Sequence, residues 1–141
     1  MISLKNGDGI QWPEGKRIAV MLTFDFDAEL LRYSVIGKRK IGFADVSRGQ
    51  YGPKEGLKRC LAMLQRHQLP ATFFLPGEII EKYPEQCREI AAGKYEIAYH
   101  GYDHNNTIGI PEEEETGNLE KSEGLIQELS GRKPVGARGP L

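Results

Sequence analysis

Four residues carry the types and spacings that could do chemistry: Asp25 and Asp27 in the stretch TFDFDAE, and His100 and His104 in HGYDH. On an extended strand, successive side chains alternate between faces. Thr23, Asp25 and Asp27 would therefore share one side of a strand and Phe24 and Phe26 the other. Two acids on one face of a buried strand repel each other and lose hydration, an arrangement that persists only when a cation, a shared proton or a donor compensates. One metal ligand and one general base would satisfy that requirement. The same D-x-D also fits a strand that ends early and leaves both acids solvated in a turn. The H-x-x-x-H pair puts two imidazoles on one face of a helical turn, within reach of a single ion at about 2.0–2.1 Å. That spacing also occurs between ordinary surface or core histidines, and Gly101 between the two argues against a regular helix. Two histidines with one carboxylate would leave coordination sites open, as a hydrolytic zinc needs.

Position raises the weight of these residues. Residues 18 to 27, IAVMLTFDFD, form a mostly apolar run rich in β-branched and aromatic residues and read as a buried strand. A long mixed segment from Ala28 to Tyr51 follows, in a place where substrate-contacting structure is common. Pro53 then opens a predicted helix in which Leu57, Cys60, Leu61 and Leu64 recur at three and four, stopped by Pro70. A second strand, Ala71 to Leu75, precedes a helix from about Pro84 to Ala92 with Gly93 as its C-cap. A third strand spans Tyr95 to Tyr99. The acidic turn Glu112 to Glu115 opens a third helix, running through Leu119, Ser122, Leu125, Ile126 and Leu129 to Gly131. A short fourth strand is read at Val135 to Arg138.

This alternation predicts an α/β fold with about four parallel strands and three intervening helices, either open and doubly wound or part of a (β/α) barrel. Active sites in both lie at the C-terminal ends of the strands, which is where the two aspartates, the two histidines and Arg138 fall. Arg138 could pair with a carboxylate and hold it ionised; it also fits a charged residue in a frayed chain end. His67 reads as a polar residue in the last turn of the first helix.

At 141 residues the chain is about one domain in length, read as a single unit with residues 1–17 as an N-terminal extension. A net charge of −1 provides no basic field for nucleic acid or anionic lipid, so function must lie in local sites. Cys60 and Cys87 match no metal or redox spacing and are expected to be buried reduced thiols. The N-terminus has no apolar leader, and no apolar run approaches the roughly 18 residues of a membrane span, so a cytoplasmic protein is expected.

The ordered motifs TFDFDAE at 23 to 29, ATFFLPG at 71 to 77, HGYDH at 100 to 104 and GARGP at 136 to 140 resemble those of the polysaccharide deacetylase (NodB-homology) family. The resemblance runs from about Ile18 to Leu141. It is greatest to the peptidoglycan-deacetylase-like and allantoinase-like branch, which has an apolar residue between the two aspartates and often a stretch such as Ser47-Arg48-Gly49. It implies a partial (β/α) barrel with Asp25 as general base, Asp27, His100 and His104 as ligands of a divalent metal, most often zinc, and Arg138 orienting Asp25. It further implies that the backbone amide of Leu141 helps hold an oxyanion. The implied activity is hydrolysis of non-peptide C–N amide bonds in an N-acetylated glycan or a small amide or ureide. Family members continue into further β/α units, one of which carries a histidine that acts as general acid. The resemblance thus covers the N-terminal half of the family domain, and a catalytically incomplete metal-binding half-domain is the alternative reading. Open sheet edges predict a homodimer.

Overall fold

The structure, a computed structural model, describes residues 14, 16, 18–32, 41–105 and 108–140. Three parallel strands form one sheet: β1 (Thr23–Asp25), β2 (Thr72–Leu75) and β3 (Glu96–Tyr99), in the order β1-β2-β3. The register pairs Asp25 with Phe74, and Phe74 in turn with Ala98. The fold is thus mixed α/β with a parallel sheet, as expected, but β2 separates β1 from β3, so their ends are not direct neighbours.

β1 is much shorter than the apolar run that predicts it. Only Thr23–Asp25 is strand, while Ile18, Val20 and Met21 are 73, 76 and 86% exposed. An edge strand has a single partner, and β2 offers only Thr72, Phe73 and Phe74 for pairing. The expected fourth strand reduces to one parallel bridge between Tyr99 and Ala137, with hydrogen bonds from Tyr99 N–H to Gly136 O and from Arg138 N–H to Tyr99 O. Pro134 and Pro140 flank that segment and carry no N–H for a ladder.

Helical backbone fills the crossovers. Between β1 and β2, α1 (Phe43–Tyr51) passes through a π-helical turn at Gly52–Gly56 into α2 (Leu57–His67). Pro53 therefore does not open the helix. It sits buried inside the widened turn, where Leu57 N–H reaches back to Gly52 O. A wide turn accommodates a residue that has no N–H and whose ring crowds the preceding turn. In α2, Leu57, Leu61 and Leu64 are buried at helical spacing, and Gln68 closes the helix in the left-handed conformation. Cys60 is only half-buried; Cys87 is fully buried, both are free, and burial pushes the Cys87 thiol up to about 12.

Between β2 and β3 lie α3 (Gly77–Lys82) and α4 (Pro84–Ala92). They are separate because Pro84 bars helical backbone at the residue before it, and Tyr83 has φ −124° and ψ 55°. After β3, α5 (Glu112–Ser130) begins with four glutamates and ends at Gly131, as the sequence predicts. Among the described residues, no helix is long and apolar enough to cross a membrane.

The core joins one sheet face to these helices. Phe26, Phe73, Leu75 and Ile97 pack with Leu64, Ile79, Ile90 and Ile126, and Phe24 stacks on Phe73 with centroids 5.1 Å apart. The opposite face carries Thr23, Thr72, Phe74 and Ala98 and lines an open groove of about 600 Å³.

One close approach governs the exit from β1. A Cβ placed on Gly49 would lie 2.5 Å from Glu29 Cα and 2.9 Å from Glu29 N, so α1 and the segment after Asp27 touch backbone to backbone. Gly49→Ala must push one of them away. Overpacking of this kind costs about 1–3 kcal/mol, so urea unfolding should show a clearly lowered midpoint with an unchanged slope. An unchanged midpoint would mean that the two segments are not held against each other.

Candidate metal centre

Asp27 stands two residues past the end of β1, and His100 directly follows β3. Phe26 N–H bonds to Phe74 O at 3.1 Å and keeps the chain against β2 up to Asp27. The gap left by the intervening strand is closed above the end of β2, where the chain turns away at Pro76. There Gly77 N–H bonds to Gly101 O at 3.1 Å and Glu78 N–H to Tyr102 O at 2.8 Å, tying the β2 exit to the histidine loop.

The two histidines do not share a helical turn. Residues 100 to 105 are irregular, with Gly101 at φ 74° and His104 at φ 61°. A left-handed conformation is free for glycine but costs about 1 kcal/mol or more in a residue with a Cβ. It folds His104 back over His100, and the rings meet edge to face with centroids 5.1 Å apart. Support comes from below, where Ser122 of α5, wholly buried, donates to Gly101 O at 3.4 Å.

One ligand atom from each of Asp27, His100 and His104 lies within 4.8 Å of the others. His100 Nε2 is 3.5 Å from Asp27 Oδ1, and His104 Nε2 is 3.4 Å from Asp27 Oδ2. Both histidines are 2% exposed. The tautomer of His100 follows from its other nitrogen. Nδ1 is 2.7 Å from Arg138 O, and a carbonyl can only accept, so Nδ1 carries the proton. In the neutral ring Nε2 is then a lone pair, and it faces Asp27 Oδ1, a buried oxygen with no hydrogen-bond donor among the described residues. Two acceptors aimed at each other suit a cation between them. Asp27 hydrogen-bonded to His104 raises the pKa of that imidazole above its ordinary value despite burial, and the nearby charge of Asp25 adds to the effect.

Asp25 sits beside this trio, on the open face. The Arg138 guanidinium contacts its Oδ1, donates to Thr23 Oγ1 at 3.0 Å and lies 4.0 Å above the Phe74 ring. Thr23 and Asp25 thus share the side expected from strand alternation. All five described candidates therefore converge at one end of the sheet. The sixth, Leu141, lies outside the described residues. His67 ends α2, at the opposite end of β2.

Sequence reasoning missed Glu29. This carboxylate is 1% exposed, accepts from Tyr83 Oη at 2.8 Å and meets Lys82 Nζ at 2.5 Å. Burial alone would raise its pKa, but the Lys82 and Tyr83 contacts outweigh burial and hold it below the usual carboxylate value. The only signal in the sequence is an acid placed between Asp27 and the apolar pair Leu30-Leu31.

Parallel strands with polar residues gathered at their C-terminal ends define an α/β protein in which a carboxylate and two imidazoles converge as a group that could hold a metal ion. The family model for polysaccharide deacetylase matches residues 49–141. The chain belongs to the polysaccharide deacetylase family. It is 38% identical over 96 residues to a peptidoglycan deacetylase of Helicobacter pylori, covering 68% of this chain and 33% of that protein. A crystal structure of a Mycobacterium smegmatis protein assigned to the polysaccharide deacetylases superposes with a TM-score of 0.82 at 36% identity, over 98% of this chain and 48% of that one. The fold is also that of the PuuE allantoinase, with a TM-score of 0.78 at 22% identity over 92% of this chain and 50% of that one. The chain thus spans about a third to a half of these relatives, in keeping with the partial resemblance read from its motifs.

Proposed function

We propose that this chain carries the metal-binding and base-bearing part of a hydrolase that removes acetyl groups from an N-acetylated glycan. The observation that supports the reading most directly is the buried Asp27 Oδ1, which faces the lone pair of His100 Nε2 with no donor among the described residues to satisfy it. Asp27, His100 and His104 would hold a divalent ion, with zinc favoured by the two imidazoles and one carboxylate. Such an ion supplies Lewis acidity toward an amide carbonyl and lowers the pKa of water. Asp25 accepts the proton from the attacking water, and Arg138 holds its carboxylate in place until it does. Water oxygen adds to the acetyl carbon, the C–N bond breaks, and the departing amine takes up the proton that Asp25 accepted, leaving acetate and a free amine. The backbone amide of Leu141 is the proposed donor to the developing oxyanion.

A glycan is favoured over a ureide because the H. pylori relative is a peptidoglycan deacetylase, whereas the likeness to allantoinase reaches only the fold. The direct test is release of acetate from oligomers of N-acetylglucosamine by the purified protein, before and after chelation and with zinc restored. Acetate release that is lost with the metal and regained with zinc is expected. Turnover that ignores the chelator would sink the reading.

One observation favours a second reading, a metal-binding unit that does not itself complete the reaction. The sequence has three histidines, of which two are in the trio and His67 stands at the far end of β2, so this chain offers no imidazole to protonate the leaving amine. Zinc binding without acetate release would select it.

We also assign the open sheet face to a contact with a second copy. Among the described residues, the exposed Val20 and Met21 and the groove beside them present apolar surface, and β1 pairs with β2 alone. Light scattering at micromolar concentration should give twice the mass of one chain; a monomer would reject the assignment.

A further inference from the structure

The strongest feature outside the trio is the buried charge beneath it. Glu29 is joined to Asp27 through a single residue, Ala28, whose φ is +47°. A left-handed conformation is disfavoured for a residue with a Cβ, so something must hold it there. Leu30 N–H bonds back to Asp27 O at 2.9 Å and closes the turn, but that bond lies within the turn itself. The outside anchor is the Glu29 side chain, fastened to Lys82 at the end of α3 and to Tyr83 at the junction with α4. On the other side, α1 leaves no room for Glu29 to retreat, because Gly49 already touches its backbone.

We infer that Glu29, held by Lys82 and Tyr83, is a positioning residue for the metal centre: it keeps Ala28 in its left-handed conformation and so aims the Asp27 carboxylate between His100 and His104. The inference rests on the reading of Asp27, His100 and His104 as metal ligands. Glu29 is not one of the three residues that would hold the ion. Its effect passes through one strained peptide, and that route gives it a signature that general loss of stability would not produce.

The test uses cobalt as the probe, read by its visible absorption at 25 °C, with circular dichroism confirming that each variant is folded. Glu29→Gln keeps the shape and an acceptor for Tyr83 but discards the charge that Lys82 needs. It should weaken cobalt binding by about 10–100-fold, the range typical of residues that orient a ligand from outside the coordination sphere. Ala28→Gly added to that variant should recover several-fold of the loss, because glycine takes a left-handed φ unaided. If Glu29→Gln does not fold, Tyr83→Phe, which removes one hydroxyl, carries the same two readouts. Cobalt binding in the folded variant equal to that of the parent would overturn the inference, as would a loss that Ala28→Gly leaves untouched. A parent chain that takes up no cobalt would overturn the metal reading first, and this inference with it.

Discussion

Asp25→Asn should bind zinc as the parent does and lose about 10²–10⁴-fold in hydrolysis, the usual contribution of a general base. The expectation follows from how the two aspartates are placed. Asp25 is paired with Arg138 and is 37% exposed on the open face, whereas Asp27 is 12% exposed and faces both imidazoles. A base must remain free to take a proton, and the guanidinium contacts Oδ1 and orients the carboxylate without coordinating an ion. Asparagine keeps the shape and can still meet Arg138, so folding should hardly change. Metal content by atomic emission and acetate release on the same sample decide the outcome. Loss of zinc in this variant would mean that the roles of Asp25 and Asp27 are exchanged.

Asp27→Ala should give the converse, with zinc affinity falling by more than the roughly 10–100-fold seen when only an orienting partner is removed. Its two oxygens face two different histidines, so its removal takes away a candidate ligand and also the negative charge that would offset a divalent ion. The buried oxygen without a donor disappears as well. The metal-free protein should therefore unfold at about the same temperature as the parent, while the stabilisation that added zinc gives the parent is absent. Thermal unfolding with and without zinc reads both halves. A variant still stabilised by zinc would remove Asp27 from the ligand set.

How much of this could be read from the chain depended on how local each signal was. The placement of Thr23 and Asp25 on one face of β1 was legible because strand alternation is a property of neighbouring residues, whereas Asp27 lies two residues past the strand. The helix from Pro84 and the long helix after Pro111 were legible from prolines, glycines and spacing. α3 was not, since a helix of six residues gives no periodic window. The helical start at Phe43 was hidden because α1 buries no side chain, and so has no apolar stripe to follow. β1 was read too long for a different reason: apolar residues 18 to 22 match a strand in composition, but pairing is set by the partner, which only the fold supplies. The convergence of the two histidines was anticipated from their place after β3, whereas its means was not. Left-handed backbone at His104 is a conformation that no residue type there announces. Glu29 is the plainest case. Its tyrosine partner lies 54 residues away, and its place between Asp27 and the apolar pair Leu30-Leu31 is the one local sign of burial.

Arg138 couples two parts of the site that lie far apart in the chain. Its guanidinium meets Asp25 across 113 residues and its carbonyl meets the His100 ring across 38. Its own backbone joins the sheet through Tyr99, by the bridge at Ala137 and the bond from Arg138 N–H to Tyr99 O. A shift of this one segment would change the partner of Asp25 and the proton-fixing carbonyl of His100 together, whereas Phe73 and Leu75 belong to the core on the other face of the sheet and would not have to move with it.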